Sequence, residues 1–215
     1  MIIYDVTSNN IFEEPIQMKP KQIFVMTKLG KKRAKIIDEI MEEMDEILNE
    51  HKFTKLTADD LITGNDYMQK INKLIHESAI GIAIVDSSFE CRTLCNIFYE
   101  CGLMDSIGKE TIIIKTEKTE IPSDFVRTEY IEYSPNTFKN KLRSYFKVLS
   151  SQAEYYDKVS DNTQKNPIYS IDYTKRAYML SNSSQIYDKL GVRINKIKDK
   201  RIKEAFTNSI IQNIR

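Results

Sequence analysis

Two carboxylates stand where an apolar segment gives way to polar sequence. The short run Ile82-Ala-Ile-Val ends in Asp86, and Glu100 follows inside Asn96-Ile-Phe-Tyr-Glu100-Cys-Gly102. An apolar run too short for a helix and ending in Asp reads as a buried parallel strand, and carboxylates near the C-terminal end of such a strand lie where open α/β sheets bind ligands. Asn96 is a favourable N-cap. A helix beginning there would hold Glu100 near its first turn, where the positive end of the helix dipole keeps a carboxylate ionised. An ionised carboxylate can capture or stabilise a developing positive charge, which makes Glu100 the leading catalytic candidate and Asp86 the second. The structural alternative for Asp86 is a cap or Asx-turn with Ser88. Tyr99 and Phe98 could stack on a flat ligand, or serve the core as aromatics beside a helix commonly do.

These residues need a scaffold, and the pattern around them supplies one. Gln22-Ile-Phe-Val-Met-Thr27 is a first buried strand, with Thr27 at its end. Apolar positions Ile36, Ile37, Ile40, Met41, Met44, Ile47 and Leu48 follow helical spacing over residues 31–50. Residues 53–57 give a second strand, Tyr67, Ile71, Leu74 and Ile75 a further helix, 80–85 a third strand, 111–115 a fourth and 129–133 a fifth. Strands alternating with helices argue a parallel sheet with helices on both faces, because parallel neighbours need a crossover. After Pro135 the pattern is helical: Phe138, Leu142, Tyr145, Phe146 and Leu149 share a stripe, residues 160–167 are a polar break, 169–173 is ambiguous, and 175–190 and 198–214 read as helices.

Taken together, strand-Asp86, Asn96-x-Phe-Tyr-Glu100-x-Gly102 and Gly108-Lys109 resemble the nucleoside 2-deoxyribosyltransferases and the related TIR-like domains. Ala58-Asp59, residues 66–75 and residues 123–133 extend the likeness to about residues 21–134. The resemblance implies a flavodoxin-like or TIR-like α/β domain over 21–134, after an extended lead-in of 1–20 and before a helical C-terminal extension of 135–215. It also implies cleavage of an N-glycosidic bond. Glu100 would attack or stabilise the anomeric carbon, with Asp86 as a ribose-hydroxyl acceptor or acid-base partner and Asp59, Asn96, Tyr99 and Thr27 binding substrate. Two departures from the family pattern bear on the substrate: an apparent insertion within residues 87–95, and Thr27-Lys28-Leu29-Gly30 where the family often has Pro-Phe. With the long extension, they lean the expectation toward an NAD glycohydrolase of a bacterial defence type, ahead of base exchange between deoxynucleosides. A catalytically silent nucleotide sensor is the third reading. NAD enters as a substrate, and no cofactor is expected.

Composition narrows the remaining classes. Hydrophobic residues are 41% of the 215 and charged residues 29%, ordinary for a soluble globular protein. No apolar run approaches the roughly 20 residues of a membrane span, and the N-terminus has no secretory pattern. Cys91, Cys95 and Cys101 are an odd number crowded into one segment, which fits reduced thiols in the cytoplasm better than a disulfide framework. Two thiols at i, i+4 without a nearby His make a poor zinc site, so no metal is expected. His76 and His51 are read as a surface residue and a helix-end cation. No Gly-x-Gly-x-x-Gly or Walker sequence is present, which disfavours ATP hydrolysis and dehydrogenase chemistry. Residues 38–50 carry seven acids and no Lys or Arg, whereas 189–215 carry eight basic residues against Asp199 and Glu204. Such blocks are solvated faces or could attract each other between subunits. With the apolar stripe of 138–149, they lead to an expected homo-oligomer, with nucleic acid a less favoured partner for the basic end.

Overall fold

The computed structural model describes residues 17–30, 33–60, 67–125 and 130–207. The chain divides into two compact units, one of residues 22–146 and the other of 147–215 with the segment up to Lys21. The first holds a five-stranded sheet of β1 (Gln22–Met26), β2 (Thr54–Thr57), β3 (Ile80–Val85), β4 (Glu110–Lys115) and β5 (Tyr130–Glu132). Its order is β2-β1-β3-β4-β5 and every pairing is parallel. This is the doubly wound flavodoxin-like order, which reverses direction between β1 and β3. β1 and β3 are buried along their whole length, as strands covered on both faces must be, and this explains their apolar sequence, broken only by Gln22 at the start of β1.

The crossovers are α1 (Lys35–Glu50), α2 (Tyr67–Glu77) and α3 (Cys91–Ser106). On α1 the buried face is Ile37, Ile40, Met44, Ile47 and Leu48. The expected helix beginning at Asn96 starts five residues earlier, at Cys91, with Glu90 as its cap residue. Asn96 is therefore an interior helix residue, and Glu100 lies well past the first turn. Glu90 makes no side-chain capping bond, so the sequence carries no ordinary start signal there. Much of what appeared to be a loop insertion is the opening of this helix.

Two close approaches seat α3 on the sheet. Gly81 in β3 leaves room for Met104 of α3: a Cβ there would stand 2.5 Å from Met104 Sδ and 2.9 Å from Met26 Cε. One turn before Met104, Cys101 Sγ packs 3.9 Å from Met26 Sδ. On the same helix Phe98 meets Phe125, with ring centroids 5.1 Å apart.

Helix α4 (Phe138–Asn162) contains the division between the units. Within the first unit, Phe138, Leu142 and Phe146 are 0 to 1% exposed, and Phe146 lies 5.0 Å from the Phe53 ring and 5.1 Å from that of His51. Leu149 is buried too. The stripe expected to be free for self-association is thus covered by the chain itself. The acidic block of α1 also finds partners in its own unit. Lys139 pairs with Glu46 at 2.6 Å, Arg143 grips Glu50 with two bonds of 2.7 and 2.8 Å, and Lys55 meets Asp45 at 2.7 Å.

The second unit continues α4 and adds α5 (Pro167–Ser181), α6 (Ser184–Asn195) and α7 (Lys200–Phe206). The expected polar break at 160–167 is shorter, because α4 runs to Asn162. Asn166 then caps α5, accepting from Tyr169 N–H, with Pro167 following it in the first turn. The helix expected over 175–190 is two, parted at Asn182, whose φ of 54° gives a left-handed cap. Buried Arg193 donates to Ser170 O at 3.1 Å, to Thr174 Oγ1 and to Asp161 at 2.6 Å, and Lys189 bridges Asp157 and Asp161 at 2.6 and 2.8 Å. Part of the basic C-terminal block is therefore neutralised within its own unit. Residues 208–215, the end of the expected last helix, lie outside the described residues, as do residues 1–16 of the expected lead-in.

Candidate active site

A cleft of about 290 Å³ opens at the carboxyl end of β1, bordered by Met26, Thr27, Lys28 and Leu29, by Ala58 after β2, and by one face of α3. That face presents Glu90, Thr93, Asn96, Ile97 and Glu100. From Thr93 on, these recur at three- and four-residue intervals, the spacing that aligns side chains along one side of a helix. The carboxyl edge of a doubly wound sheet near its switch point is where such folds hold ligands.

Glu100 is the chemically distinctive member. Among the described residues no side chain or backbone group hydrogen-bonds its carboxylate and no cation pairs with it. Burial alone pushes its pKa up to about 7. The expectation of a carboxylate kept ionised by the helix start is corrected: an interior helix position receives little from the dipole, and desolvation favours the proton. The neighbouring Cys101 thiol is also raised by burial, with the Asp105 and Glu100 charges adding to it, and remains protonated.

Thr27 and Asn96 border the same cleft. Thr27 is 6% exposed and its Oγ1 has no hydrogen-bond partner among the described residues. The other three sequence candidates lie elsewhere. Asp86 does not border the cleft. Its Oδ1 accepts from Ser88 N–H at 2.9 Å and from the Ser88 hydroxyl, and its Oδ2 accepts from Thr116 Oγ1 at 2.6 Å. Desolvation would raise its pKa, but these hydrogen bonds together outweigh it and hold the carboxylate below its ordinary range. Asp59 is exposed and accepts from Gly30 N–H at 2.8 Å, holding the loop after β1, where Gly30 takes a φ of 87°. Tyr99 is 48% exposed and does not border the cleft.

Sequence reasoning missed Lys28, Glu90, Thr93 and Ile97. Placing the helix start at Asn96 excluded Glu90 and Thr93; once it moves to Cys91, Thr93 joins Ile97 on the Glu100 face by spacing alone. Among the described residues no group of three or more His, Cys, Asp or Glu side chains is arranged to hold a metal ion. No helix among them is long and apolar enough to cross a membrane.

No family model matches the chain, and no curated protein does. Among solved structures it is similar to a 2-deoxyribosyltransferase from the psychrotolerant bacterium Bacillus psychrosaccharolyticus, at 11% identity and a TM-score of 0.43, over 57% of this chain and 90% of that one. A likeness this distant says nothing about the reaction.

Proposed function

We propose that this chain breaks the N-glycosidic bond of a nucleoside-sized substrate, with Glu100 acting at the anomeric carbon. The observation that carries the reading is an unpaired, desolvated carboxylate in a cleft at the carboxyl edge of the sheet, within a segment that resembles the deoxyribosyltransferase motif. A pKa of about 7 leaves a large ionised fraction at neutral pH, and the desolvation that raises it also makes the carboxylate a better nucleophile.

In the proposed reaction, a Glu100 oxygen approaches C1′ from the face opposite the base. The C1′–N bond breaks as positive charge develops at C1′, and the base leaves with the bonding pair and takes up a proton from water. The resulting glycosyl ester is then opened by water, which is hydrolysis, or by a second base, which is transfer. Thr27 and Asn96, which border the cleft, would contact the sugar in this reading. No cofactor is needed for either step.

The cleft lies near the lower end of the roughly 300–1,000 Å³ usual for ligand pockets. That size suits one nucleoside better than a dinucleotide, so a deoxynucleoside is placed ahead of NAD, reversing the lean drawn from the sequence. Purified protein is incubated separately with deoxynucleosides plus a free base and with NAD, and the products are separated chromatographically. A new nucleoside identifies transfer, free sugar identifies hydrolysis, and nicotinamide release restores NAD.

One observation favours a second reading. Asp86, the expected acid-base partner, is committed to its own loop, which leaves the departing base without that proton donor. A catalytically silent sensor would bind a nucleoside tightly in calorimetry and form no product after long incubation.

A further inference from the structure

Cys91 and Cys95 are both exposed, on the first turns of α3, with their sulfurs 3.9 Å apart. At about 100° per residue, they fall on the opposite side of the helix from Thr93, Ile97 and Glu100, and neither borders the cleft. Sequence spacing disfavoured zinc for want of further ligands, and among the described residues no third donor of the His, Cys, Asp or Glu type stands beside the pair. Two chemistries remain for a close pair of thiols, a disulfide or a shared soft ion.

The backbone separates these alternatives. Side chains at i, i+4 on a helix have Cβ atoms about 5–6 Å apart. A disulfide requires roughly 3.5–4.5 Å between them, and the sulfurs would also have to close to about 2.05 Å. Forming it would unwind the first turn of α3. A bridging ion requires no such movement: with metal–sulfur bonds of about 2.3 Å, sulfurs 3.9 Å apart subtend roughly 115–120° at the ion. That is a trigonal angle, with the third position open to solvent. Thiolates select soft ions such as monovalent copper, whereas structural zinc takes four ligands.

We propose that Cys91 and Cys95 form a two-thiolate site for monovalent copper on the solvent side of α3. Binding breaks two S–H bonds, forms two Cu–S bonds and releases two protons to the buffer, with no change in oxidation state. Because binding releases protons, affinity should rise with pH.

The test titrates the full chain anaerobically with monovalent copper against a coloured copper chelator. One equivalent should bind, with at least tenfold weaker binding in Cys91→Ser and in Cys95→Ser and wild-type binding in Cys101→Ala, whose thiol is buried. Circular dichroism verifies that each variant keeps its helices, as exposed substitutions should allow. Thiol titration of the native protein should find two reactive sulfurs, with the third released by denaturant. Failure to compete for copper, equal binding by either serine variant, or a native pair already joined as a disulfide would each overturn the proposal.

Discussion

Glu100, the proposed catalytic carboxylate, carries a stability cost that can be measured without knowing the substrate. Its pKa rises on folding from 4.5 to about 7, so between those values the folded chain binds more protons than the unfolded one. Stability must therefore fall as pH rises through that window and level off above it, by at most about 3 kcal/mol and less where solvent screens the group. Glu100→Gln removes the penalty. Its melting temperature should exceed that of the wild type at pH 8 and match it near pH 4, and equal midpoints at pH 8 would show that the carboxylate is not desolvated. If the ionised form is the reactive one, kcat/KM should rise with pH about an apparent pKa near 7. Asp86 carries the opposite sign: its contribution is present above its unfolded pKa and is lost as pH falls. Asp86→Ala should cost about 1–3 kcal/mol in denaturant melts by stranding the Ser88 and Thr116 donors. A change confined to KM, with stability untouched, would instead put Asp86 at the substrate. Sequence alone grouped Asp86 with Glu100 and offered a turn with Ser88 as the alternative, but the full commitment of Asp86 was not legible because it also depends on Thr116, just past the end of a different strand.

At the scale of elements, the site depends on how closely α3 rests on the sheet. Gly81→Ala would drive a methyl group into Met104 and Met26 and lift the helix that carries Glu100. The methionine ends can give way in part, so the expected cost is about 1–3 kcal/mol. Activity should fall further than the lost stability explains. Unchanged activity in a folded variant would show that the cleft tolerates the shift. The strands were readable because β1 and β3 are covered on both faces and are almost wholly apolar. The start of α3 was not, since Glu90 is an unusual cap and makes no capping bond. That one misplaced boundary carried Asn96 and Glu100 to the wrong part of the helix and left Thr93 outside it.

For the whole molecule, the division within α4 decides which truncation is informative. A chain ending at Ser134 loses Phe138, Leu142 and Phe146 from the core of the first unit, together with the Arg143–Glu50 and Lys139–Glu46 pairs. Large apolar side chains cost several kcal/mol each when removed from a core, whereas the exposed ion pairs add less than about 1 kcal/mol apiece. The 134-residue fragment should therefore be unfolded by circular dichroism, and a fragment ending at Phe146 should melt cooperatively. A cooperative transition in the shorter fragment would contradict the packing described for α4. Self-association was inferred from a stripe and two charge blocks that the sequence left unpaired. Their partners lie far along the chain, with about ninety residues separating Glu46 from Lys139 and Glu50 from Arg143, and only the fold brings them together.

The central claim is that Glu100 forms a bond to the sugar, and trapping that bond tests it most directly. A nucleoside fluorinated at C2′ destabilises the positive charge needed to open a glycosyl ester and so lets the ester accumulate. After incubation and an acid quench, intact-protein mass spectrometry should show the added mass of one fluorosugar. Peptide mapping should place it on Glu100, and Glu100→Gln should show none. Base release at the wild-type rate by Glu100→Gln, or an adduct mapped to any other residue, would contradict the account.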